Sequence, residues 1–155
     1  MTKLQVASIT AEPGQKSCGY AHANAGIADV RLPITLVNGL RPGPRLALTS
    51  GLHYGEFVGV EALRELLRST DPATLAGQVV ACPIACPPAF YAHRAGGSAL
   101  DGINPNRVYP GSATGRPTER VVAWLFEYVI SHSDVFIDLH SGGISEALAS
   151  FVGYR

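Results

Sequence analysis

The spacing of apolar positions changes several times along this chain, and each change marks an element. Residues 31–38 (RLPITLVN) read as a strand, closed by Asn38-Gly39 and the proline-rich RPGP. Residues 45–50 (RLALTS) predict a second strand, with Gly51 opening a turn. From Gly55 to about Arg68 the period lengthens. Val58, Ala62, Leu63, Leu66 and Leu67 recur at helical spacing, while Glu61, Arg64, Glu65 and Arg68 take the other face. Asp71-Pro72 closes that region. Residues 78–85 (QVVACPIA) form a continuous apolar run, as a buried strand does. Pro117 suits the first position of a helix, where its missing N–H costs nothing. Val121, Val122, Leu125, Tyr128 and Val129 carry that helix's apolar stripe to about Ser131. Residues 134–140 (DVFIDLH) predict a strand running into Ser-Gly-Gly, and SFVGYR at 150–155 reads as the start of another.

Strand, helix, strand, loop, helix, strand in this order predicts an α/β fold, a mainly parallel or mixed sheet flanked by helices. Between Pro87 and Gly115 lies a long stretch rich in glycine, proline, serine and asparagine. Loops of that length in compact domains tend to be functional. Open α/β sheets bind ligands where the strands' carboxyl ends open into a crevice, so chemistry is sought there.

Composition narrows the function classes. With 155 residues, 46% hydrophobic and 15% charged, the chain suits one domain and has too little charge for intrinsic disorder. Twelve basic and twelve acidic residues balance, which leaves no basic stripe to track nucleic-acid phosphates. No apolar run approaches a membrane span, and the first residues lack the apolar core of a signal peptide. Cys18, Cys82 and Cys86 are too few for a disulfide framework and read as reduced thiols of a cytoplasmic protein. His22, His93 and His132 read as surface groups and Trp124 as core. Without a phosphate-binding loop, a dinucleotide fingerprint or a nucleophile elbow, nucleotide binding and serine hydrolysis lose their usual support.

Three stretches can carry chemistry. In GLHYGE, His53 follows a strand and Glu56 stands at the helix entry, so a sharp turn can bring both side chains to one point. An imidazole nitrogen and a carboxylate oxygen are ligands that zinc accepts at about 2.0–2.2 Å. Taken alone, His-x-x-Glu is a weak signal and more often marks a structural or surface pair. In DLHSGG, His140 also ends an apolar strand. Three ligands of type His, Glu and His leave a fourth zinc position open, as catalysis requires. Asp138 shares a strand face with His140 and is expected to orient a ligand imidazole, with His53 as the preferred partner. The long loop supplies Arg94 and, in DGINPNRVYPG, Arg107. One guanidinium could stabilise negative charge on a carbonyl oxygen and the other could grip a substrate carboxylate, although solvated loop arginines remain an alternative.

Together GLHYGEFVGVEAL, PPAFYAHR, DGINPNRVYPG, PTERVVAWLF and DLHSGG resemble, in order, the succinylglutamate desuccinylase/aspartoacylase family, within the zinc carboxypeptidase-like fold. The resemblance implies one zinc ion at His53, Glu56 and His140. It implies Arg94 as the residue that polarises the scissile carbonyl, and Asn106 with Arg107 as the pair that holds a substrate carboxylate. The DLHSGG spelling is similar to the N-acetyl-diaminobutyrate deacetylases of ectoine breakdown. Tyr54 stands where the family usually has glycine, Pro105 where leucine is common, and Cys86 where asparagine is frequent.

Family members have much longer chains, with a general-base glutamate well downstream of the second zinc histidine. Here Glu146 is the sole carboxylate after His140. Residues 1–155 are therefore expected to form the N-terminal portion of one zinc-hydrolase domain, truncated after the second zinc histidine. That portion would bind zinc while lacking the base. The expected function is deacylation of an N-acyl amino acid or related small amide. Two alternatives stay open: a zinc carboxypeptidase acting on peptides, and a non-catalytic metal-binding remnant that self-associates through an exposed sheet edge.

Overall fold

The computed structural model describes residues 2–154. Its main sheet contains β3 (Gln15–Asn24), β4 (Asp29–Asn38), β5 (Arg41–Ser50), β6 (Ala76–Cys82) and β7 (Val135–Leu139), in the order β3-β4-β6-β5-β7. Two short strands, β1 (Leu4–Val6) and β2 (Ile9–Ala11), pair antiparallel beside it. β4 runs antiparallel to β3 and β6, whereas β5 is parallel to both β6 and β7. The sheet is mixed, and its parallel half is β6-β5-β7.

Helices cover both faces. The chain passes from β5 to β6 through α1 (Phe57–Ser69), and from β6 to β7 through α2 (Pro87–Tyr91), a 3-10 turn at Pro105–Arg107, and α3 (Pro117–Leu125). One π-helical turn, Phe126–Ile130, continues α3. Leu63 and Leu67 of α1 pack with Val37, Leu48, Val79 and Ala81. Across the sheet, Val121, Leu125 and Val129 join Leu32, Ile34, Leu36, Ala47, Val80 and Cys82. Val79 and Ala81 thus serve one core while Val80 and Cys82 serve the other, the period of two that a strand imposes. β5 lies between the two strands that follow it, so the chain leaves its carboxyl end in one direction and returns on the other side. This is a topological switch point, where α/β sheets open a ligand crevice.

Several expectations change. Pro42, Gly43 and Pro44 do not separate two strands but lie within β5, across a register shift between Arg41 and Arg45. The third strand ends at Cys82, and residues 83–86 fold over the end of β5, where the Ala85 amide donates to the Ser50 carbonyl at 2.8 Å. In α1, Val58 and Leu66 are 72% and 47% exposed, because the buried stripe is Gly59, Leu63 and Leu67. A glycine contributes nothing to the apolar pattern, which tilted the inferred face. Trp124 is half-buried and stacks on exposed Tyr128 with ring centroids 4.9 Å apart. Residues 150–154 form no strand, and Phe151, Val152 and Tyr154 are exposed.

The long loop is tied down at Asp101. Its carboxylate accepts from the Thr118 amide at 2.9 Å, the Thr118 hydroxyl at 2.6 Å and the Ile103 amide at 3.1 Å, at the start of α3. Burial would raise the Asp101 pKa, but these donors outweigh it and hold the carboxyl below its ordinary value. A depressed carboxylate stabilises the fold above its unfolded pKa, about 3.9, and loses that contribution as pH falls through the lower folded value. Asp101→Asn is therefore expected to lower the urea midpoint at pH 7 and to approach wild type in acid, once pH falls through the lower folded value. A midpoint difference of equal size at pH 7 and in acid would refute this account.

Candidate metal centre

β5 and β7 deliver the site. His53 follows the end of β5 through Gly51, whose φ of +60° suits a residue without Cβ. Gly55, at φ +97°, turns the chain again, and Glu56 becomes the N-cap of α1. The Glu56 side chain makes no capping hydrogen bond and points instead to two histidines. His140 directly follows β7, whose register on β5 sets Asp138 opposite Thr49.

The Glu56 carboxylate lies between the imidazoles. Its Oε1 is 2.9 Å from His53 Nδ1 and its Oε2 is 2.7 Å from His140 Nδ1. The rings are tilted at 41° with centroids 5.1 Å apart. One ligand atom from each of the three residues lies within 4.8 Å of the others. The outer nitrogens are also engaged: His53 Nε2 with Asn104 Oδ1 at 3.0 Å, and His140 Nε2 with Asp138 Oδ2 at 2.8 Å. Asn104 Oδ1 accepts from the Asn106 amide as well, at 2.9 Å, and Asp138 Oδ1 accepts from the Thr49 hydroxyl at 2.6 Å.

This arrangement tests whether a cation fits. Asn104 and Asp138 present acceptor oxygens, which favour the tautomer with the proton on Nε2 and, in a neutral ring, the Nδ1 lone pair toward Glu56. Two lone pairs then face a carboxylate, an array of acceptors that only a proton or a metal ion can reconcile. Without metal, a proton on His140 does so for the half of the array between His140 and Glu56. The Asp138 hydrogen bond raises its pKa to about 9, against opposing desolvation, with Asp138 and Glu56 charges adding to the rise. The same donor set suits a divalent ion taking nitrogen and carboxylate ligands.

Asp138 therefore contacts His140 rather than the expected His53. Side chains two apart on a strand share a face, and Asn104 occupies the outer nitrogen of His53. Asn104 and Thr49 were missed from sequence, since neither the loop's return to His53 nor the pairing of β5 with β7 is written in local pattern. Arg94 is exposed, with its guanidinium 3.4 Å from where a Cβ on Gly102 would sit. Exposed Asn106 and Arg107 lie on the 3-10 turn after Asn104, and Arg107 donates to the Asn106 carbonyl at 3.1 Å. Among the described residues, no hydrogen bond joins these three side chains to the cluster. Glu146 folds back on its own turn and accepts from the Gly143 amide at 3.1 Å.

The structure thus joins a mixed α/β sheet to a His-Glu-His cluster, with the geometry to hold a metal ion, at the carboxyl ends of adjacent parallel strands. Residues 42–155 match the succinylglutamate desuccinylase/aspartoacylase catalytic domain, and the chain belongs to that family. It is 37% identical over 114 residues to the N-alpha-acetyl-L-2,4-diaminobutyric acid deacetylase of Halomonas elongata, covering 74% of this chain and 33% of that protein. The crystal structure of a succinylglutamate desuccinylase/aspartoacylase from Rhodobacter sphaeroides superposes with a TM-score of 0.73 at 31% identity, covering 83% of this chain and 41% of the other. A metallo-carboxypeptidase from Pseudomonas aeruginosa shares the fold alone, at 20% identity and a TM-score of 0.55, covering 79% and 34% of the two chains. The chain thus spans a third to two-fifths of the length of these proteins. Among the described residues, no helix is long and apolar enough to cross a membrane.

Proposed function

We propose that His53, Glu56 and His140 hold one zinc ion and that the site serves hydrolysis of an N-acyl amide of a small amino acid. The observation that carries this reading is the convergence of both Nδ1 atoms on one carboxylate, with both Nε2 protons held by oxygens. Zinc bound there would supply Lewis acidity toward a carbonyl oxygen and toward water. Asn104 and Asp138 keep the imidazoles in the tautomer that ligates. Arg94 answers the negative charge that grows on the carbonyl oxygen, and Asn106 with Arg107 anchors the substrate carboxylate. The 37% identity to a diaminobutyrate deacetylase supports an N-acetyl amino acid over a peptide as substrate. The free thiols of Cys18, Cys82 and Cys86 support a reducing, cytoplasmic setting.

Proton handling limits the rate. Asp138 accepts from Thr49 and His140, and Glu146 is not among the residues that converge on the cluster, so neither is placed as a general base for water held there. The 155-residue chain is therefore expected to take up one equivalent of zinc and to release acetate from N-acetyl-2,4-diaminobutyrate only slowly. Metal analysis after dialysis, together with an acetate assay against a short peptide control, checks both parts. A chain that retains no zinc, or one that prefers the peptide, would sink the proposal.

A further inference from the structure

Tyr54 stands between the two ligands of its turn yet takes no part in their cluster. Its ring stacks on His93, with centroids 5.0 Å apart and planes at 17°. It meets Phe90 edge-on at 6.3 Å and Phe57 edge-on at 5.6 Å. Phe57 and Phe90 close the group, again edge-on at 5.6 Å. Two of these rings belong to the ligand turn and the start of α1; the other two belong to α2 and the residues just after it.

The segment beyond α2 leaves the helix through a cap of two backbone hydrogen bonds. α2 is five residues long, and Gly96 and Gly97 follow closely. The His93 amide reaches the Phe90 carbonyl at 3.3 Å and the Arg94 amide reaches Ala89 at 3.0 Å. These two bonds close α2 through a left-handed residue and account for the φ of +54° at His93. The face of Tyr54 docks this cap against the ligand turn, and the next residue is Arg94.

We propose that Tyr54 is a positioning residue. By stacking on His93 it fixes the direction in which the chain presents Arg94, so that an oxyanion beside the His53–Glu56–His140 cluster meets the guanidinium. The inference rests on the role given to Arg94 above. It requires the ring face and not the phenol hydroxyl, so phenylalanine replaces tyrosine and alanine does not.

The test has two arms, both on the 155-residue chain. Without metal, hydrogen exchange at the His93 and Arg94 amides is expected to quicken about tenfold in Tyr54→Ala and to stay unchanged in Tyr54→Phe. With zinc bound, acetate serves as the oxyanion probe in calorimetry. Tyr54→Ala and Arg94→Ala should each weaken acetate about tenfold, and the double variant no further. Zinc affinity, read by competition with a chelator, should be the same in Tyr54→Ala and wild type, whereas a merely structural residue would lower both affinities. Unchanged exchange in Tyr54→Ala, or additive losses in the double variant, would overturn the inference. A wild-type chain that takes up no zinc contradicts the proposed function instead, and the exchange arm then decides the role of Tyr54 alone.

Discussion

His53→Ala is expected to weaken zinc binding roughly a thousandfold while leaving the fold intact. Structural zinc sites are worth on the order of 10–16 kcal/mol, so one ligand of three carries several kcal/mol. The side chain sits in a turn beyond the end of β5, outside both packed cores. Asp138→Asn is the informative companion. It removes no ligand, but it takes away the negative charge and one of the two oxygens that serve Thr49 and His140, and a loss of roughly 10–100-fold is expected. Chelator competition measures both affinities, and circular dichroism confirms that the variants fold. Equal zinc affinity in His53→Ala and wild type would show that the ion sits elsewhere.

Gly59→Val should destabilise the protein by roughly 3 kcal/mol and weaken zinc binding as well. A Cβ at Gly59 would lie 2.7 Å from the Leu139 carbonyl oxygen and 3.3 Å from the Leu139 Cβ. Two effects compete at this position. Replacing a helical glycine by alanine favours the helix by about 1 kcal/mol. Here the obstacle is strand backbone, already paired to β5, so it cannot yield as a flexible side chain would. Overpacking of about 1–3 kcal/mol then exceeds the gain, and valine enlarges the clash. The displaced parts are functional: Gly59 stands three residues after Glu56, and Leu139 immediately precedes His140. Urea denaturation and zinc competition should therefore move together. A variant with a wild-type urea midpoint would disprove the close packing of α1 on β7.

The site was more legible in the sequence than the first third of the fold. His53, Glu56 and His140 lie beside turns that follow apolar strands, and both signals are local. β3 escaped notice because its buried positions are Ala21 and Ala23, too small to form an apolar stripe, while Gln15, Lys16, Tyr20, His22 and Asn24 face outward. The face of α1 was misjudged because Gly59 occupies the tightest point of its contact with β7. The partners of the two imidazoles depend on pairings that no local pattern records. Thr49 meets Asp138 across 89 residues, and Asn104 reaches His53 across 51. The antiparallel half of the sheet was invisible for the same reason, since β4 pairs with β6 across an intervening strand and helix.

Among the described residues β7 has one strand neighbour in the sheet, and its Val135, Phe136 and Ile137 are 49%, 39% and 44% exposed. Besides its pairing with β5, the Thr49–Asp138 and Arg45–Asp134 hydrogen bonds and the contact of Leu139 with α1, this strand is tied by His140 to the carboxylate of Glu56, 84 residues earlier in the chain. An ion bound between them is consequently a clip across a long loop, removing entropy from every state in which β7 has come away. Its binding energy would fall mainly on the undocking of β7 from β5. The reacting centre and the latch of the sheet would then be the same few atoms.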